Sequence, residues 1–328
     1  MMQILPWQKT LWESLSQRKN SDRLPHALLF SGVTGVGKKI FARDFASYIL
    51  CYAPQNHHAC GNCRACHLQQ AHSHPDFTRI EPEEGGQFIK IDQIREAMNV
   101  IHSTAVVSEY RVILIVPASA MNTQSANALL KTLEEPPPHT LFMLICDQSL
   151  RLPATITSRC QKIVFPIPDR EMALTWLQSQ VSHQDKETLS LALNIAEGAP
   201  LQARDFLMND TMTLRQDLYE GLVKMRARQM DPLLFSTQWE EKNIKILLHF
   251  LLIWLQDLLR FQLTQSQAHL TNSDYYTAIH TLAGKLAREN LLQYYDTIQK
   301  SYAHISSAMN MNRSLLLKEI FIRWVQLC

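Results

Sequence analysis

A short apolar run, HALLF (26–30), passes without a break into SGVTGVGKK, and that into the amphipathic stretch KIFARDFASYILC. Three of the nine glycines of the chain lie between Gly32 and Gly37. Strand, glycine loop and helix in that order begin an α/β domain of the nucleotide-binding kind. The spacing G-x-x-x-x-G-K is met by Gly32, Gly37 and Lys38, with Gly35 inside the loop. Glycines there let backbone N–H groups face a phosphate while the lysine reaches its oxygens. The next position should carry Ser or Thr to ligate Mg²⁺, but here it is Lys39.

Further apolar runs follow at DFTRI (76–80), RVILIV (111–116), TLFMLIC (140–146) and QKIVF (161–165). Between them lie helical patterns, one carrying Ile94, Met98 and Ile101 with Asp92 as a cap, another from Thr123 to Glu135 ended by three prolines. Alternation of this kind predicts a right-handed parallel sheet, its strands buried on both faces. A helix is also expected over 6–19, with Trp7, Leu11 and Leu15 on one face. A hydrolysing enzyme of this class holds Mg²⁺ on an acid at the end of the strand RVILIV. That strand ends in Val116 and Pro117, so the loop and the strand both lack a metal ligand.

After Pro166 and Pro168 the strand pattern stops. Residues 167–208 read as a small helical domain and 209–328 as a second, longer helical one, against an α/β domain over 1–166. A chain of 328 residues has room for two or three domains. At that length it can bury about 75% of its unfolded surface and needs no disulfides. Its charged fraction of 19% and net charge of +2 exclude a disordered tail and a strongly basic nucleic-acid coat.

The stretch Ile244–Leu255 is broken by Lys245 and His249 and falls short of the ~20 residues a membrane span needs. It reads as a core helix, with Ile246, Leu247, Phe250, Leu251 and Trp254 on its apolar side. The N-terminal segment has no apolar signal region, so the expected compartment is the cytoplasm.

Four of the seven cysteines, Cys51, Cys60, Cys63 and Cys66, fall within sixteen residues; Cys146, Cys160 and Cys328 are scattered. In a reducing compartment such clustering argues for metal over disulfides. Two C-x-x-C steps suit a tetrahedral Zn²⁺ with no open position, hence a structural site inserted at 51–70. An iron–sulfur cluster uses the same four ligands. His57, His58, His67, His72 and His74 lie close enough in sequence to substitute as ligands. Another cation, Arg159, ends LPATITSRC (152–160), just before the last strand. There it either complements a helix dipole or acts as an arginine finger on a neighbour's phosphate.

LPHALLFSGVTGVGKK, the four cysteines, HPDF (74–77), ANALLKTLEEPPPHTLFML (126–144), LPATITSRC and NRSLLL (312–317) together resemble the delta-prime subunits of bacterial DNA polymerase III clamp loaders, within the AAA+ clamp-loader family. The resemblance spans nearly the whole chain. It implies an AAA+ α/β domain with a zinc module, a small helical lid and an all-α collar. The collar joins motor (gamma/tau) and wrench (delta) subunits in a hetero-pentamer that places the sliding clamp on primed DNA, as part of a nucleotidyltransferase complex. It carries over the zinc to Cys51, Cys60, Cys63 and Cys66, and a finger acting in trans to Arg159. It also implies a comparatively rigid, non-hydrolysing stator; motor subunits have an arginine in the lid where EGAPL (197–201) has none, a third missing nucleotide contact. Weak nucleotide binding through Gly32, Gly35, Gly37 and Lys38 is left open.

Three other readings fit less of the chain. An active clamp-loader ATPase is opposed by Lys39, Val116, Pro117 and Leu201. A small-metabolite kinase would leave the helical C-terminal third unexplained. A zinc-dependent DNA-binding module would need a Lys/Arg-rich stripe.

Overall fold

The computed structural model describes residues 4–84, 86–101, 105–147, 152–306 and 312–327. Cys328 lies outside them. The chain forms two compact units, Met1–Met172 and Ala173–Cys328.

The first unit is built on a five-stranded parallel sheet: β1 (Ala27–Gly32), β2 (Phe77–Ile80), β3 (Arg111–Ile115), β4 (Thr140–Asp147) and β5 (Gln161–Val164). Their order across the sheet is β2-β3-β4-β1-β5. All four pairings are parallel, with Gly32 opposite Asp147 and Ile115 opposite Leu144. β1, β3 and most of β4 are buried on both faces, as their unbroken apolar sequences require. β5 differs from the expectation of another buried strand. It is an edge, with Gln161, Lys162 and Val164 exposed and Ile163 alone turned inward. A chain that must end its sheet somewhere does so where polar side chains cover the edge.

The helices of this unit are α1 (Lys9–Asn20), α2 (Lys38–Leu50), α3 (Arg64–Gln70), α4 (Ile91–Ile101), α5 (Thr123–Glu134) and α6 (Ala154–Thr157). A short 3-10 turn over Pro6–Gln8 precedes α1. The buried side of α1 runs through Gln8, Trp12, Leu15 and Ser16, one residue round from the expected Trp7–Leu11–Leu15 stripe. The indole of Trp12 lies at the centre of this buried side. It meets Phe41 and Phe45 edge-on and stacks on His58 at 5.6 Å. α4 begins one residue before the expected cap. Asp92 lies inside its first turn, and Gln93 Oε1 accepts the Lys90 N–H at 2.8 Å instead. Ile94, Met98 and Ile101 face the core as expected. Asn122 caps α5 by accepting the Ser125 N–H at 2.8 Å.

The second unit begins within α7 (Arg170–Gln180) and is wholly helical among the described residues. It comprises α8 (Lys186–Ile195), α9 (Pro200–Met208), α10 (Thr211–Arg226), α11 (Pro232–Thr237), α12 (Ile244–Thr264), α13 (Tyr276–Ala283), α14 (Arg288–Ser306) and α15 (Arg313–Gln326), with two short 3-10 turns. α12 is the core helix the sequence predicts. Leu247, Phe250, Leu251 and Trp254 are fully buried, against α13 and α14 among others. The fully buried Asp257 on the same helix accepts the amides of Thr271 and Asn272. Arg215 lies 5.0 Å from the rings of both Tyr219 and Tyr275 and bonds Asn272 and Asp274. These charges are buried because each is paired or hydrogen-bonded, which pins the loop after α12. No helix among the described residues is long and apolar enough to cross a membrane.

Candidate functional site

Three groups of side chains carry the chemistry, two of them at opposite ends of α2. Its N-terminus is the glycine loop. Gly35 and Gly37 take positive φ, 85° and 95°, where a side chain would strain the backbone. A Cβ on Gly32 would sit 2.6 Å from the carbonyl oxygen of Phe165, so the exit of β1 closes tightly on the segment after β5. Lys38 is 95% buried, and its ammonium is fully engaged. It donates to Gly32 O at 2.7 Å and Val33 O at 2.8 Å, and pairs with Asp147 Oδ1 at 3.0 Å. From the other side, Trp7 Nε1 and Gln8 Nε2 both donate to Val36 O, at 3.0 and 2.9 Å. Lys39 is exposed, and Val116, just past the end of β3, is buried. The loop therefore has the shape of a phosphate cradle, with the metal ligands replaced.

At the C-terminus of α2 stand the cysteines. The four sulfurs lie within 4.8 Å of one another, with Cys51–Cys63 and Cys60–Cys66 both at 3.9 Å. A tetrahedral Zn²⁺ with Zn–S bonds of about 2.3 Å sets its sulfurs about 3.8 Å apart, so the four residues fit that ion. Backbone amides support them: Cys60 N–H donates to Cys51 Sγ and Cys66 N–H to Cys63 Sγ. The amides of Asn62 and Cys63 draw the Cys60 thiol down to about 6, whereas burial pushes Cys51 and Cys66 up. Four thiols so close cannot all ionise unless a cation joins them.

None of the nearby histidines belongs to this set. The only cluster of three or more potential metal ligands among the described residues is the four cysteines. His57 Nδ1 bonds Asn20, and His58 lies on Trp12. His74 is buried and serves an anchor that the sequence reading missed. Its Nδ1 accepts the Asp76 N–H at 3.1 Å, which leaves Nε2 to donate to Ser108 Oγ at 3.1 Å. Ser108 in turn donates to Leu50 O, next to Cys51. The Asp76 carboxylate accepts the amides of Val106, Val107 and Ser108 at 2.7–2.8 Å. Burial would raise its carboxyl, but those three amides outweigh burial and hold it below the usual range. HPDF thus ties the start of β2 to the root of the cysteine loop. Ser, His and Asp meet here without a nucleophile, because the serine proton is given to a carbonyl and the site is closed to solvent.

Arg159 follows α6. Ile156 anchors that helix in the core and Leu152 packs against it, as expected. The guanidinium is about one-third exposed. It donates to Thr155 O at 2.8 Å and pairs with Glu134 Oε1 at 2.5 Å. Among the described residues its polar contacts are to Glu134 on α5, Thr155 on α6 and Ser158 just after it, and none goes to the glycine loop.

Asp147 was absent from the sequence reading as well. It is the first polar residue after TLFMLIC, on the strand beside β1, and ligands of open α/β sheets sit at the carboxyl ends of such strands. That position was the available signal.

A parallel sheet in this order, with a phosphate loop after β1 and a wholly helical unit following it in the chain, defines an AAA+ protein of the P-loop class. The model of the family described as "DNA polymerase III, delta subunit" matches residues 7–169, and that of its C-terminal part matches 209–326. The chain is 34% identical to the DNA polymerase III subunit delta' of Pseudomonas aeruginosa, covering 100% of this chain and 99% of that one. It is 31% identical to the DNA polymerase III subunit delta' of Escherichia coli, covering 98% of this chain and 95% of that one. A solved DNA polymerase III gamma subunit-related protein from Thermotoga maritima matches at 17% identity and TM-score 0.43, over 96% of this chain and 98% of that one. The chain belongs to the DNA polymerase III subunit delta' family.

Proposed function

We propose that the chain is the stator of a clamp loader: a delta-prime subunit that hydrolyses no ATP itself and lends Arg159 to the ATP site of a neighbouring motor subunit. The observation that carries this reading is the pairing of a defective site with an available cation. Lys39, Val116 and Pro117 stand where Mg²⁺ ligands belong, so Arg159 has no metal–nucleotide to serve in its own unit. Its guanidinium is exposed enough to reach one elsewhere. Partners in this reading are the gamma/tau motors and the delta wrench of a hetero-pentamer, which acts in the cytoplasm on the sliding clamp and primed DNA. The four cysteines hold one structural Zn²⁺. Residues 167–208 form the lid, and 209–328 the collar through which the ring assembles. The second family match, which begins at 209, supports that last boundary.

Arginine fingers are worth about 10³–10⁵ in rate where one site depends on them. A loader with several ATP sites loses less, because only one of them borrows Arg159. A complex reconstituted with Arg159→Ala should therefore assemble with normal mass and zinc content but show several-fold lower DNA-stimulated ATP hydrolysis and clamp loading. Arg159→Lys should restore little, since an ammonium cannot make the bidentate contact. Normal loading by the Arg159→Ala complex would reduce the residue to a partner of Glu134.

A further inference from the structure

The ammonium of Lys38 has three protons and three acceptors, Gly32 O, Val33 O and Asp147 Oδ1. Two of these are neutral carbonyls of its own loop. The third is a carboxylate, among the described residues the one charge paired with a lysine buried to 95%. In a working phosphate loop that charge comes from the ligand: the lysine turns to the β- and γ-phosphate oxygens. Here a protein oxyanion already holds the lysine.

Asp147 is held in place by backbone. Its register opposite Gly32 across the β1–β4 pair sets the carboxylate beside the loop. Among the described residues that carboxylate pairs with Lys38 alone. The side chain is 28% exposed against 5% for Lys38, so the carboxylate is the solvent-reached member of the pair.

We propose that Asp147 is an internal competitor for the phosphate site, and that its negative charge keeps phosphoanions off an otherwise well-formed loop. The chemistry excluded is a di- or triphosphate, whose terminal groups need the same ammonium. A carboxylate at this strand end has one other plausible use, as a ligand for Mg²⁺ in a bound metal–nucleotide. The two roles predict opposite signs: removing a competitor tightens nucleotide binding, and removing a metal ligand weakens it.

The test uses the isolated full chain, so it is decided separately from the role of Arg159. A fluorescent ADP analogue and inorganic pyrophosphate are titrated, with and without Mg²⁺, into the wild type, Asp147→Asn, Lys38→Ala and the double variant. Replacing a charge-assisted bond by a neutral one should tighten binding of both probes about tenfold in Asp147→Asn, with or without Mg²⁺. The gain should vanish in the double variant, because it depends on freeing Lys38. Asp147→Ala should give the same result should Asp147→Asn prove poorly folded by thermal melting. Unchanged or weaker binding in both Asp147 variants overturns the proposal. So does an equal gain in the Lys38→Ala background, which would mean simple repulsion with no competition for the lysine.

Discussion

One helix, α2, has a candidate ligand site at each end, and the two differ in how their polar groups are satisfied. The glycine loop at its N-terminus finds its partners within the chain. Trp7 and Gln8 satisfy the Val36 carbonyl, and Lys38 is neutralised by Asp147. The cysteine loop at its C-terminus cannot do this. Four sulfurs within 4.8 Å offer one another no counter-charge, and the amides that approach them favour thiolates. A phosphate site can decay quietly, since a single nearby carboxylate stabilises its lysine. A thiolate site keeps its need for an external cation as long as the four ligands stay together.

The sharpest way to break this comparison is to remove one sulfur. Structural zinc contributes roughly 10–16 kcal/mol of apparent binding free energy in small modules that fold around it. In this chain the sheet has its own core, so the loss should be local. Cys63→Ser is expected to strip about one zinc per chain and expose residues 51–70 to protease, while the rest of the molecule melts as a folded protein. Metal analysis and mass-mapped limited proteolysis read both effects. Iron in place of zinc, or an unchanged cleavage pattern, would mean that the cysteine end is as self-sufficient as the glycine end.

The converse change, at the other end of α2, should cost less. Lys38→Met keeps the volume of the buried stem and deletes the ammonium, leaving Gly32 O, Val33 O and Asp147 to find water. Unpaired polar groups of this kind cost about 1–3 kcal/mol. Urea denaturation should show a loss of that size with zinc content unchanged. No loss would mean that the internal partners of Lys38 add nothing to the fold.

Much of this contrast was legible in the residues. Long apolar runs such as RVILIV and TLFMLIC state a doubly buried parallel strand, and four cysteines with two C-x-x-C steps state a converging set of sulfurs. Lys39 and Pro117 state a defect, because the absence of a ligand can be read from one position. What escaped were pairings between distant positions. Nothing local to Asp147 announces Lys38, 109 residues away. The buried role of His74 depends on Ser108 and Leu50, which only the folded chain brings together. QKIVF read as a buried strand because apolar residues mark its end, but its place in the strand order makes it an edge.

The smallest effect concerns that histidine and whether the anchor behind the cysteine loop is charged. Burial holds the His74 imidazole below its ordinary value, and the neighbouring Asp76 carboxylate only partly opposes this. The geometry points the same way: the Asp76 N–H already donates to Nδ1, so a proton placed there would face another donor. A histidine depressed in the fold takes its proton more readily in the unfolded chain. Below about pH 6.5 the unfolded state therefore binds more protons, and stability falls as pH drops toward the folded value. Above that range the contribution is complete. Asp76 acts later, below the usual carboxylate range, because its own depression is lost only when it protonates. His249 in the second unit is also buried and depressed, so wild-type stability should decline from two sites over the same range. Urea midpoints of wild type and His74→Gln should therefore converge between pH 7.5 and pH 5.5, with the variant the less stable at the higher pH and the flatter of the two. Parallel curves would show that His74 binds its proton equally well in the folded and the unfolded chain, so that burial does not depress it.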